Sequence, residues 1–262
     1  MADKKRILIV TQEIKPYTDV SEISKIAYSY SQYLQKNGME VRVLTPRFGT
    51  IHERRHRLHE VSRLSGLNIA VNDEDYPLVI KVASPPGVRT HVYFLDNEEF
   101  FKRQTVFKNE DGELYDDNLE RSIFFCKGVV EIVKKFGWSP HVVHCHGWMT
   151  SLLPAYLKTR CLQEPVFQRA LVVYSAYECD EIDKAFENDF VAQAEYNLLE
   201  ESVLNKYASN GLSLNKGAAA YADGVILNQN VQLELNKTPK MTHEDNNMEA
   251  YLDFLEELLK NV

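Results

Sequence analysis

His141-Val142-Val143-His144-Cys145-His146-Gly147-Trp148-Met149-Thr150 is the stretch whose reading decides the fold. It reads as the end of a buried strand that runs into a helix carrying Leu152, Leu153, Ala155 and Tyr156. Histidines at the carboxyl end of a parallel strand stand where open α/β sheets place their ligands. His144 and His146 are therefore the first candidate site residues. Neighbours on a strand point to opposite faces, and no carboxylate or thiol stands at ligand spacing nearby, so no zinc site is expected.

Upstream, Arg6-Ile7-Leu8-Ile9-Val10 is a short continuous apolar run, the signature of a central parallel strand buried on both faces. A loop with Pro16 follows. Ile23, Ile26, Ala27, Tyr30 and Leu34 then recur at helical spacing, and Asn37-Gly38 ends the helix. Val41 to Leu44 is a second strand closed by Pro46. This β-loop-α-β unit opens a doubly wound, mostly parallel α/β sheet of Rossmann-like type.

The ribbon from His52 to Leu64 is rich in Arg and His. It is either an anion-facing loop or a solvated surface ribbon, and the acidic chain around it favours the solvated ribbon. Strands are expected at 67–71, 78–82 and 88–95, with a turn at Pro85-Pro86-Gly87. A helix with Leu119, Ile123, Cys126, Val130 and Val133 on one face is stopped by Gly137 and leads into the His144 strand. Later strands are Ala170–Tyr174 and Gly224–Leu227. The expected organisation is one domain over 1–227, a polar linker over 228–247, and an amphipathic helix over 248–262 that docks on the domain or on a partner.

A chain of 262 residues with 44% hydrophobic and 26% charged residues fits an ordinary globular protein with a real core. The net charge of −8 argues against nucleic acid or an anionic membrane as partner. No apolar run approaches a membrane span, and because Met1 to Lys5 lead directly into a strand pattern no signal peptide is expected. Cys126, Cys145, Cys161 and Cys179 form no Cys-x-x-Cys pair and read as reduced cytoplasmic thiols.

Several stretches, in order, resemble the N-terminal domain of bacterial glycogen synthases and plant starch synthases. They are Glu13 to Tyr17, Val41 to Gly49, Tyr93 to Asn97, Tyr115 to Asn118, His144 to Tyr156, Asn215-Lys216-Gly217 and Tyr221-Ala222-Asp223. The resemblance runs from Arg6 to about Gln232. It implies the N-terminal half of a two-domain GT-B architecture. It also implies a family reaction, retaining transfer of glucose from ADP-glucose to an α-1,4-glucan, with no cofactor or metal. By the same resemblance His146 would contact the transferred glucose, and Asp117, Asn118, His144 and Lys216 would bind substrate.

The charged positions depart from the family. Its first loop carries Lys-x-Gly-Gly-Leu and then Asp two residues later; here Asp19, Ser21, Glu22 and Lys25 stand at those places. Glycines let the backbone approach a sugar nucleotide, and helix N-terminal N–H groups receive its phosphates. Asp19-x-x-Glu22 has capping-box spacing, so Asp19 is expected at the N-cap, with the chain's own carboxylates where an anion would bind. Gly147 replaces the aspartate that follows the second histidine, and Ala176-Tyr177 replaces a His-Asn pair. The expectation is a glycogen-synthase-like domain that does not transfer glucose alone and binds a glucan, a sugar nucleotide or a protein. The alternatives are half of a split enzyme, completed by a separate C-terminal-domain chain or by self-association, and a structural or regulatory module.

Overall fold

Ile7 to Val10, with no exposed surface, form the centre of the molecule. In the computed structural model, which describes residues 4–260 apart from 86, 87, 89, 236, 245 and 246, they belong to β1 (Arg6–Thr11). An all-apolar strand needs cover on both faces, and helices supply it. The other strands are β2 (Glu40–Pro46), β3 (His59–Glu60), β4 (Leu67–Val71), β5 (Glu74–Ala83), β6 (His91–Asp96), β7 (Val142–His146), β8 (Leu171–Ala176), β9 (Gly224–Leu227) and β10 (Lys240–Thr242). Their order is β10-β9-β8-β7-β1-β2-β6-β5-β3, with β4 on β5. Pairing is parallel from β10 to β6 and antiparallel around β5.

The chain leaves β1 toward β2 and β6, then returns to β7 on the other side of β1. The strand order therefore reverses between β1 and β7, and the loops after these two strands part there. Such a switch point leaves a crevice beyond the strand ends.

The helix α1 (Glu22–Lys36) buries Ile23, Ile26, Ala27, Tyr30 and Leu34, the 3.6-residue stripe read from sequence. It stops at Asn37, and Gly38 turns away at φ +84°. Leu34→Ala would leave a core cavity and cost about 2–5 kcal/mol. Two short helices, α2 (Glu53–His56) and α3 (Glu98–Phe101), flank the β5 side of the sheet. The longest, α4 (Asn118–Phe136), is capped by Gly137 at φ +60°.

The single helix expected after Met149 is instead broken. A 3-10 turn (Trp148–Thr150), α5 (Leu153–Ala155) and a π-helical turn (Tyr156–Arg160) share that span. Pro154 has no N–H to donate to the preceding turn, so the α ladder cannot run through it. The polar stretch from Glu178 to Gly211 folds into α6 (Asp180–Phe186), α7 (Phe190–Tyr196) and α8 (Glu201–Ala208). After it comes α9 (Leu214–Ala220).

The segment expected as a linker also differs. Lys240–Thr242 extends the sheet as β10, parallel to β9, because Val225 donates to Pro239 and His243 to Leu227 through backbone hydrogen bonds. The amphipathic helix α10 (Met248–Lys260) turns Tyr251 and Leu255 inward. Tyr251 lies 5.1 Å from Tyr30 of α1, ring to ring. The expected turn at Pro85-Pro86-Gly87 lies partly outside the described residues.

Candidate functional site

A depression of about 370 Å³ opens at the switch point. Gln12 and Glu13 line it from the loop after β1, Trp148 from the turn after β7, and Tyr177 and Glu178 from the loop after β8. The start of α6 adds Asp180 and Glu181, and Phe107 and Lys108 close the far side. Three short loops thus converge because three neighbouring parallel strands end together.

The loop after β1 is organised by Glu13, which is fully buried. One of its carboxylate oxygens accepts from the backbone N–H of Val20 at 2.6 Å and of Ser21 at 2.9 Å. The other accepts from the Ser21 hydroxyl. Ser21 is also the N-cap of α1, its oxygen accepting from Ile23 N–H at 3.2 Å. The expectation that Asp19 caps this helix is therefore corrected. Glu13 fixes the chain through Val20 and Ser21, so the helix starts two residues later than an Asp19 cap requires. Asp19 instead accepts from the Ser24 hydroxyl at 2.6 Å and pairs with Lys15 at 3.0 Å. These contacts, Ser24 first, hold its carboxyl below the usual range. Glu22 accepts from Asn228 Nδ2 at 2.8 Å, and Lys25 is exposed.

His144 and His146 share one face of β7, with ring centroids 4.1 Å apart. Both are fully buried and neither lines the depression. His144 uses both ring nitrogens, Nδ1 with the Tyr30 hydroxyl at 3.0 Å and Nε2 with the Ser175 hydroxyl at 2.8 Å. His146 pairs Nδ1 with the Tyr177 hydroxyl at 3.1 Å, and its Nε2 is buried without a partner. Burial, then His243, pulls the His146 pKa down to about 3; burial, then His146, takes His144 well below its ordinary value. Both rings are neutral in the fold.

Gly147 has φ +86°, and a Cβ there would meet Gln12 Oε1 at 2.2 Å. An aspartate at this position is strained by the backbone conformation and would displace the Gln12 side chain. His146 is oriented by Tyr177, the second of the two altered positions at the end of β8. That contact is legible only with the strands side by side.

The remaining candidates lie elsewhere. Asp117 forms an ion pair with Arg103. Asn118, fully buried, donates to the Phe107 carbonyl at 2.9 Å and accepts from Arg121 at 2.6 Å. Both therefore shape the loop that carries Phe107 and Lys108 rather than lining the depression. Lys216 faces a separate groove, with Lys206 and Lys237. Arg121 is not among the expected site residues. It is fully buried and satisfied by Asn118 and by the carbonyls of Phe100 and Val106. Its hydrophobic surroundings lower its pKa to about 10. An arginine on the inward stripe of an otherwise apolar helix was the available signal.

Charge distinguishes the depression. Glu13, Glu22, Glu178, Asp180 and Glu181 line it, and Lys108, its one cationic residue among the described residues, is paired with Glu181 at 2.8 Å. All four cysteines are buried free thiols, and no metal-holding cluster occurs among the described residues. No described helix is long and apolar enough to cross a membrane.

A mostly parallel α/β sheet with its crevice at the strand ends makes this molecule a Rossmann-like α/β domain, the kind that forms one half of the GT-B fold. Its fold matches the catalytic domain of starch synthase IV from Arabidopsis thaliana, solved with ADP and acarbose. That match has a TM-score of 0.69 at 18% identity, over 86% of this chain and 45% of that one. The family model described as the starch synthase catalytic domain matches residues 6–238, and the chain belongs to that family. Glycogen synthase of Chlorobium limicola is 36% identical over 176 residues, and that of Chlorobaculum tepidum 35% over 173. Each alignment covers 66% of this chain and 36% of the relative, so the chain spans about a third of the length of these relatives.

Proposed function

We propose that this glycogen- and starch-synthase-like domain binds an α-glucan at its strand-end depression and does not by itself transfer glucose from ADP-glucose. The observation that carries the reading is the sign of the depression: five carboxylates against one neutralised lysine. A nucleoside diphosphate sugar brings two negative charges, and like charges in a half-enclosed cleft repel with little solvent screening. The N–H groups of Val20 and Ser21, which would face such an anion at the start of α1, already donate to Glu13. An uncharged polyol has no such penalty. Its hydroxyls donate to carboxylates, and Phe107 and Trp148, with ring centroids 5.1 Å apart, give an aromatic wall for sugar rings.

The buried imidazoles add to this reading. A group acting on the transferred sugar must reach it within hydrogen-bond distance, and His146 lies beneath Tyr177 with no exposed surface. Asp117, Asn118 and Lys216, which would argue for a retained catalytic set, are spread over other parts of the domain.

Trp148 supplies the test. Replacing Trp138, the other tryptophan, by Phe leaves Trp148 as sole reporter. Maltoheptaose should change its fluorescence saturably, and ADP-glucose should leave it unchanged up to millimolar concentration. A saturable response to ADP-glucose, or ADP-glucose-dependent extension of maltoheptaose by the purified chain, overturns the proposal.

A further inference from the structure

We propose that a second cavity, bounded by α2, β3, the end of β5 and the start of β6, binds a small phosphate ester. Arg55, Arg57, His59 and His91 would hold its phosphoryl group. The cavity measures about 590 Å³, within the range of small-molecule sites and larger than a bare phosphate needs. Arg55, His56, Arg57, His59 and His91 line it together with Tyr17, and among the described residues no carboxylate does. In a chain of net charge −8 this is a local reversal of sign.

Neighbouring cations show that this corner neutralises charge selectively. Arg47 is paired with Glu53, and Lys81 lies 2.7 Å from both Glu53 and Asp96. Arg55 and Arg57, a turn away, have no such carboxylate in the cavity wall. Part of the ribbon expected to be merely solvated thus faces a concavity, beside a neutralised cluster built on Arg47 and Lys81. An arginine guanidinium presents a planar fork of donors that fits phosphoryl oxygens.

Arg57 closes α2 in the left-handed conformation at φ +53°, a common way for a helix to end. A further observation points to the same cavity. The Tyr17 hydroxyl is buried with no hydrogen-bond partner. Its ring is wedged between His56 at 5.0 Å and Phe94 at 4.9 Å, centroid to centroid. Burial keeps this phenol protonated, so it remains a donor. His56 is held below its ordinary pKa by burial first, then by Arg55 and His52.

Calorimetry of the full chain at physiological salt with ribose 5-phosphate, inorganic phosphate and free ribose tests the site. Ribose 5-phosphate should bind saturably and free ribose should not. Arg55→Ala and Arg57→Gly should each weaken binding by about 10-fold, as loss of one charge-assisted contact does. Arg57→Gly should also keep or raise the thermal midpoint, because glycine accepts the left-handed conformation, so weaker binding could not be put down to unfolding. Exposed Arg169→Ala should change nothing. Ribose 5-phosphate binding tighter than inorganic phosphate assigns an ester; equal binding shows that the phosphoryl group alone is read and rejects the ester. No saturable binding by either, or binding indifferent to both arginine variants, overturns the site. Trp148 does not report here, so this outcome is independent of the glucan test.

Discussion

One loop, residues 12–21, serves two regions of opposite electrostatic character. Gln12 and Glu13 line the strand-end depression beside four more carboxylates. Tyr17, four residues on, lines a cavity of arginines and histidines. The net charge of −8 describes neither region. Ligand selection is local, because a charge lining a concave site acts through less water than the same charge on open surface. The loop separates the two signs because Glu13 is locked to Val20 and Ser21 while Tyr17 packs on Phe94 across the sheet.

The comparison breaks most directly at Gly147. Gly147→Asp restores the residue common in the family and sets a Cβ against Gln12 at φ +86°. It should cost about 2–4 kcal/mol in urea unfolding, and Gln12→Ala should recover only part of that, since the backbone strain remains. An unchanged midpoint would mean that the acidic depression is not held in its present shape. Next in size is Glu13→Gln, which removes the charge from three hydrogen bonds in the buried loop and should cost about 1.5–3 kcal/mol. If stability is unchanged, Glu13 does not organise the acidic side.

Tyr177→Phe removes the hydroxyl partner of His146 Nδ1 and should cost about 1 kcal/mol. The same histidine gives a pH signature. Its folded pKa of about 3 lies below the unfolded value near 6.5. Between these values the unfolded chain binds the extra proton, so stability rises with pH and is lost as pH falls from about 6.5 toward 3. Asp183, raised to about 6 by burial, acts with the opposite sign between about 4 and 6. His146→Gln should therefore flatten the acid side of the stability profile, and an unaltered profile would contradict a buried neutral imidazole. The smallest effect distinguishes the two cap candidates: Ser21→Ala should cost about 1 kcal/mol, while Asp19→Ala should leave the unfolding midpoint within error. The reverse order would restore Asp19 as the cap.

Apolar periodicity made the framework readable. β1, α1, β2, α4 and β7 stand where continuous or 3.6-spaced hydrophobic runs put them, since burial is a property of each segment by itself. Two elements escaped. The run Lys240–Thr242 has no apolar pattern and forms a strand only because β9 offers a free edge. The helix expected after Trp148 is interrupted at Pro154, which cannot donate to the preceding turn. Site residues were harder to read. Glu13 was visible as part of a motif, but its grip on Ser21 depends on the shape of the loop. The contact of Tyr177 with His146 joins the loop after β8 to β7, and spacing along one chain carries no trace of it. The basic ribbon was noticed, yet average charge concealed that its side chains share one cavity.

The seat of Tyr251 against Tyr30 has a consequence for how the molecule is made. α1 is made well before α10, so the core around the β7 histidines lacks its α10 cover until residues 248–260 have been translated. A contact of such high sequence separation is slow to form, because loop closure must precede any gain from packing. During that interval the face of α1 that carries Tyr30 lacks the partner that covers it in the finished fold.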